Sequence, residues 1–408
     1  MKMSPARRRL APALAFAAVL LAACGGGGGG GSSAPLGPPP SVRFGASSSL
    51  ENICTLDGQK RFVRAYMDEV YLWYNEIPEL DASQYANISD YFNALLVKTP
   101  DANGVPKDRF SAVLPESAVR ASIAQSAAAP VAADLGTALA ATFSVPVSKV
   151  VTTPGGRRVG YIQFNDHASG AQDELISDFR ALRDAGIQDI ALDLRFNSGG
   201  FLYVAQSTAS MITGPANNGR VFEQLMYNDK RGAETAASAL PFIGAVTFAE
   251  TRYPAGTELP QLGLTRAYIL TSGNTCSASE SIINSLRGID VEVILVGSKT
   301  CGKPYGFHQK NNCGMAFFPI EFRGSNAKGF GDYTVGFSPT CAVTDNPAAF
   351  AGSGTDPLLN AALYHSDHGA CPPVASSALA GSSLIPGITR EVPARPAWLG
   401  RVLTGAER

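Results

Sequence analysis

The sequence predicts an α/β protein, a core of parallel βαβ units preceded by a small helical N-terminal region. Two observations carry this reading. Apolar runs at residues 159–164 (VGYIQF), 189–194 (DIALDL), 266–271 (RAYILT) and 291–296 (VEVILV) have the length and β-branched content of buried strands. Helix-periodic stretches stand between them, and regular strand–helix alternation builds parallel sheets. Composition agrees: 45% apolar and 16% charged residues fit a globular protein rather than a disordered chain. A net charge of −1, with no Arg/Lys-rich stripe past the first residues, argues against a nucleic-acid partner.

Each element follows in order. Lys2, Arg7, Arg8 and Arg9 precede an apolar run over 10–23 that is short for a membrane span. The run ends in LAAC at Cys24, followed by seven glycines. Residues 1–23 therefore read as a bacterial lipoprotein signal, with Cys24 as the lipid attachment point. Residues 24–48, rich in Gly, Pro and Ser, read as a flexible tether. Helical spacing of Phe62, Val63, Tyr66, Val70 and Trp73 predicts a helix over 59–75, and a second is expected over 88–97. These define a helical region over 49–112, and residues 113–152 read as an Ala-rich linker. The core is assigned to 153–372, with helices over 173–185, 203–212 and 277–286. Residues 314–323 read as β-structure added at its edge, and 373–408 as a Pro/Ala-rich tail.

Beyond Cys24 there are six cysteines: Cys54, Cys276, Cys301, Cys313, Cys341 and Cys371. An even number in an exported chain points to disulfides, although connectivity is not legible from sequence. Spacing suggests Cys301–Cys313 and Cys341–Cys371, leaving Cys54–Cys276. No CxxC or close Cys/His pair is present, so no metal and no cofactor is expected. His365 and His368 stand three apart with no third ligand nearby and read as surface residues.

Three segments lie between elements, where chemistry is usually sited. In LDLRFNSGG (192–200), two glycines after a strand can expose backbone N–H groups, as an oxyanion hole requires. In NTCSASES (274–281), Ser277 opens a helix. With Glu280 three residues on it fits a capping box, and the same position suits a nucleophile beside free N–H groups and a helix dipole. In GSKTCGKPYGF (297–307), Lys303 stands between Gly302 and Pro304 on a constrained turn. A lysine acting as base must be neutral, which requires desolvation.

Together these three segments resemble peptidase family S41, the tail-specific or C-terminal processing proteases, whose core is related to the ClpP/crotonase fold. The resemblance covers roughly residues 156–345, with weaker support from YLWYNEIP (71–78) and KDRFS (107–111). It implies Ser277 as nucleophile, Lys303 as general base and Glu280 as an orienting carboxylate. It also implies an oxyanion hole from the N–H groups of Ala278 and of Gly199 or Gly200. Lys299 is a rival base that fits the motif less well. Many members carry a PDZ domain after the helical region. Only about 40 residues separate Ser111 from Thr152 here, so that domain is expected to be absent or a remnant.

The expected activity is serine endopeptidase cleavage of exported polypeptides through an acyl-enzyme. The alternative is a catalytically silent S41-like peptide- or ligand-binding lipoprotein, against which stands the filling of every catalytic position. A Ser/Lys hydrolase of the penicillin-binding type would want S-x-x-K and K-T-G, and neither occurs at these segments. Gly25 after Cys24 lacks the aspartate that retains lipoproteins at the inner membrane. The expected location is the cell envelope, lipid-anchored at the outer membrane and facing the periplasm.

Overall fold

A computed structural model of the chain describes residues 44–127 and 144–373. The signal segment, Cys24, nearly all of the tether and the tail beyond residue 373 lie outside the described residues.

Helix α1 (Leu56–Val70) opens on Thr55, whose hydroxyl accepts from Gly58 N at 3.2 Å. Its apolar face and that of α2 (Ile88–Ala94) bury Phe62, Val63, Tyr66, Tyr91 and Phe92. Tyr305, Phe317 and Ile320, from far along the chain, enter the same cluster. The N-terminal region is thus built onto the core through shared apolar packing. Strand β1 (Ala112–Pro115) and helix α3 (Glu116–Ala127) follow.

The central sheet starts with β2 (Val147–Thr152), an antiparallel edge paired to β3 (Arg158–Gln163). The chain then alternates through α4 (Ala171–Asp184), β4 (Asp189–Asp193) and α5 (Leu202–Ile212). After β5 (Val221–Tyr227), α6 (Gly232–Ala237) and β6 (Ala239–Pro241) it returns to the sheet as β7 (Arg266–Thr271), α7 (Ala278–Gly288) and β8 (Glu292–Gly297). Then come β9 (Tyr305–Gly306), β10 (Lys310–Asn312), β11 (Met315–Phe318), β12 (Phe322–Ser325), β13 (Cys341–Ala342) and α8 (Pro357–His368). The sheet order is β13-β8-β7-β4-β3-β2, with every pairing but β2–β3 parallel.

Strand alternation divides the core into two layers. Ile162, Ile190, Leu192, Ile269, Val293 and Leu295 share a cluster with α4, α5 and α7. Tyr161, Ala191, Tyr268, Leu270, Ile294 and Val296 share another with α8. Gly160 has no side chain because a Cβ there would stand 2.7 Å from Ile187 Cδ1 and 2.9 Å from Leu182 Cδ1. Asp356 caps α8 by accepting from Leu358 N at 3.0 Å, a contact worth about 1 kcal/mol, and it also binds Arg195 Nη2 at 2.6 Å. Asp193 and Asp345 complete a carboxylate ring around this buried guanidinium, fixing the turn that leaves β4.

Four expectations need correction. Residues 314–323 do not extend the central sheet: β11 lies between β1 and β10, and β12 between β5 and β9. Alternation announces a strand without naming its neighbours. Residues 147–152, taken as linker, form the sheet's edge strand. The disulfides are Cys54–Cys313, Cys276–Cys301 and Cys341–Cys371, so only the last agrees with spacing. Cys313 sits with Gly314 in the two-residue turn joining β10 to β11, both with positive φ, facing the segment before α1. Finally, His365 is buried against Tyr268, whose hydroxyl lies 3.1 Å from its Nδ1, while His368 is exposed.

Candidate active site

The turns after β3, β4, β7 and β8 meet at the carboxyl ends of the parallel strands, where open α/β sheets place their ligands. Gly199 leaves β4 at φ 101°, and a Cβ on it would stand 2.8 Å from Ser277 Cβ and 3.0 Å from Ala278 N. Cys276 N and Ser279 Oγ both donate to Asn197 O, at 3.2 and 3.0 Å. The glycine turn and the serine turn are therefore locked together.

Ser277 has φ 58° and ψ −117°, a conformation costing a non-glycine residue on the order of 1–3 kcal/mol. An N-cap serine takes the extended region instead, and here the side chain is fully buried. The expected capping box ties Ser277 to Glu280, with Ser277 N donating to Glu280 Oε2 at 3.0 Å. Lys303 N donates to the same oxygen at 2.8 Å. Glu280 Oε1 accepts from Thr300 Oγ1 at 2.6 Å and Gly302 N at 2.9 Å. Four donors fill the carboxylate's acceptor positions. Burial holds its pKa above the usual carboxylate range, against the opposing pull of Thr300 and the three N–H groups. One buried carboxylate thereby fixes the backbones of both Ser277 and Lys303.

A covalent tie repeats this link. The Cys276–Cys301 disulfide joins the residue before Ser277 to the turn carrying Lys303, and Cys301 N donates to Thr275 O at 3.1 Å. Cys276, Glu280 and Cys301 have the proximity of a metal site. Their sulfurs are joined to each other and the carboxylate is saturated, so they do not fit a metal ion.

Lys303 is 1% exposed, with its Nζ 4.8 Å from the Phe307 ring centroid and 5.1 Å from that of Phe110. Arg109 donates from Nη2 to Gly302 O at 3.0 Å and Thr334 O at 2.9 Å. Gly302 is required at its φ of 84°, where a Cβ would stand 2.2 Å from Thr334 O. Lys299, the rival base, is exposed on the same turn. All six residues expected at the site thus lie on these neighbouring turns (Gly199, Gly200, Ser277 and Lys303) or in the first turn of α7 (Ala278 and Glu280).

Sequence reading missed several contributors. Arg109 and Phe110 fall in KDRFS, noticed only as weak support for the resemblance, yet they bring the N-terminal region to the lysine. Thr300 stood in the lysine's own string without a role assigned to it, and Phe307 and the Cys276–Cys301 pairing carried no signal beyond proximity to the motif. His167, after β3, is fully buried 2.9 Å from Asn197 Oδ1 and drew no attention as a lone histidine.

The Peptidase S41 N-terminal domain matches residues 58–112 and Peptidase family S41 matches residues 158–310, together just over half of the chain. The chain belongs to peptidase family S41. A carboxyl-terminal-processing protease of Picosynechococcus sp. (strain ATCC 27264 / PCC 7002 / PR-6) is 27% identical over 224 residues, 53% of this chain and 47% of that protein. The chain thus spans about half the length of this curated relative. A Bacteroides fragilis NCTC 9343 protein assigned to the S41 proteases superposes with a TM-score of 0.55 at 19% identity, over 75% of this chain and 97% of its own. That likeness shows the fold. The photosystem II D1 C-terminal processing protease aligns over 50% of this chain and 48% of its own, with 17% identity and a TM-score of 0.37.

Proposed function

We propose that this protein is a serine endopeptidase that cleaves exported polypeptides with a Ser277/Lys303 dyad. The observation that carries the reading is the single Glu280 carboxylate holding the backbone of both residues. The strained strand-to-helix turn under Ser277 supports it, because nucleophilic serines of hydrolases sit on such turns.

Neutral Lys303 takes the Ser277 proton as Oγ attacks the substrate carbonyl. The tetrahedral intermediate expels the amine, which receives its proton from Lys303, and an acyl-enzyme remains. Water, deprotonated by the same lysine, attacks the ester and releases Ser277. Ala278 N–H is one oxyanion donor, at the start of α7 where the helix dipole favours negative charge. Gly200 N–H is the other. Gly199 N–H already donates to Asn197 Oδ1 at 3.0 Å, whereas Gly200 N–H makes no hydrogen bond among the described residues.

Three disulfides support an oxidising compartment, in keeping with export and anchoring through a lipid on Cys24 at the outer membrane, facing the periplasm. The test is cleavage of an unfolded protein by a soluble form starting at residue 25. Ser277→Ala and Lys303→Ala should abolish cleavage, and Lys299→Ala should retain it. Equal cleavage by Ser277→Ala would refute the assignment. A folded parent that cleaves nothing and resists serine-directed probes would mark a silent scaffold.

A further inference from the structure

Asn197 is fully buried, and its side chain joins the turns after β3 and β4. Its Nδ2 donates to Phe164 O at 3.0 Å, and its Oδ1 accepts from Gly199 N at 3.0 Å. His167 Nδ1 lies 2.9 Å from the same Oδ1. A carbonyl can receive Nδ2 only if that atom is the amide nitrogen, and Gly199 N–H can only donate. The amide orientation is thereby fixed, and His167 must carry its proton on Nδ1. Its Nε2 is then a bare acceptor, buried and without a hydrogen-bond partner. Burial pushes the imidazole pKa down to about 3, so the ring is neutral at working pH.

The backbone of His167 grips the same loop. His167 N donates to Gly199 O at 3.3 Å, and Phe201 N donates to His167 O at 2.8 Å, bracketing Gly200. A Cβ on Gly200 would stand 2.5 Å from His167 O. The ring leaves Nε2 unsatisfied while Nδ1 is committed to Asn197, so its defined polar work lies at Asn197 Oδ1.

We propose that His167 and Asn197 are a positioning pair for the oxyanion hole. By engaging Gly199 N–H inside the protein, they leave Gly200 N–H as the donor available to the oxyanion. The inference rests on the peptidase reading, and its role belongs to acylation rather than substrate binding.

The experiment compares the parent with His167→Phe, which keeps a buried ring but no Nδ1–H, and His167→Asn, whose amide can restore a donor near that position. His167→Phe should lower kcat about 10- to 100-fold with KM changed less than about twofold, short of the loss on deleting a whole oxyanion donor. His167→Asn should recover most of that kcat. Unchanged kcat in His167→Phe, or a loss that His167→Asn does not relieve, overturns the pair's role. In parallel, nitrogen NMR of the imidazole in Ser277→Ala should show the proton on Nδ1. A proton on Nε2 overturns this inference while leaving the peptidase reading intact. A parent without cleavage overturns the peptidase reading, and the acylation role with it, whatever the tautomer.

Discussion

Glu280 concentrates the chemistry at the scale of single residues. Its carboxylate receives four donors with no room for a fifth, so Glu280→Gln sets an N–H₂ group against N–H and O–H donors. Buried donors left unpaired are costly, and the variant should lose about 3 kcal/mol in urea unfolding together with at least 100-fold in cleavage. A well-folded, active Glu280→Gln protein would show that the two turns are held by other means. His167 makes a different prediction. The unfolded chain binds a proton on histidine near pH 6.5, while the folded chain refuses it down to about pH 3. The unfolded state therefore holds more protons in that window, and stability must fall as pH drops through it, by up to about 1.4 kcal/mol per pH unit. Urea unfolding at pH 7, 5.5 and 4.5 should show this slope in the parent and a shallower one in His167→Phe. Ser277, Glu280 and Lys303 could be singled out because each stands in a string with its own turn chemistry, and their expected roles came from the family resemblance. Residue identity could not reveal Asn197 and His167 as partners, because their meeting depends on the adjacency of β3 and β4.

Elements were more legible than their partners. Strands β4, β7 and β8 fall within a residue or two of their predicted ends, since continuous apolar runs bounded by turns have few other ways to be buried. The later β-rich stretch was recognised as strand yet assigned to the wrong sheet, and two cysteine pairings failed for a related reason. Cys301 and Cys313 are close in sequence, but the first belongs to the turn after β8 and the second to the β10–β11 hairpin. The observed pairing makes its own prediction. Replacing Cys276 and Cys301 by Ser, or Cys341 and Cys371 by Ser, opens loops of similar length, 25 and 30 residues. Both should cost roughly 2–4 kcal/mol in denaturant unfolding. Cleavage should fall at least tenfold only in the first, whose bridge ties the Ser277 turn to the Lys303 turn. Equal activity in the two variants would mean that the Cys276–Cys301 bond contributes stability alone.

The N-terminal region and the α/β core form one unit across the described residues. Cys54 is bonded to Cys313, the aromatic cluster of α1 and α2 takes in Tyr305 and Phe317, and Phe110 lies over Lys303. Residues 144–373 produced alone should therefore expose apolar surface, bind a hydrophobic dye and lack cleavage, whereas a fragment that cleaves normally would make the helical region dispensable. The same wiring has a consequence for synthesis. Arg109 waits on Gly302 and Thr334, and Thr300 waits on Phe337, whose N–H it accepts at 2.7 Å. A chain emerging from its N-terminus carries Phe110 long before the lysine turn exists, and the turn is not braced until residue 337 has followed. On the proposed peptidase reading the site is thus completed late, only after β12 has been made, and a copy unfinished at that point has little means to cut its neighbours.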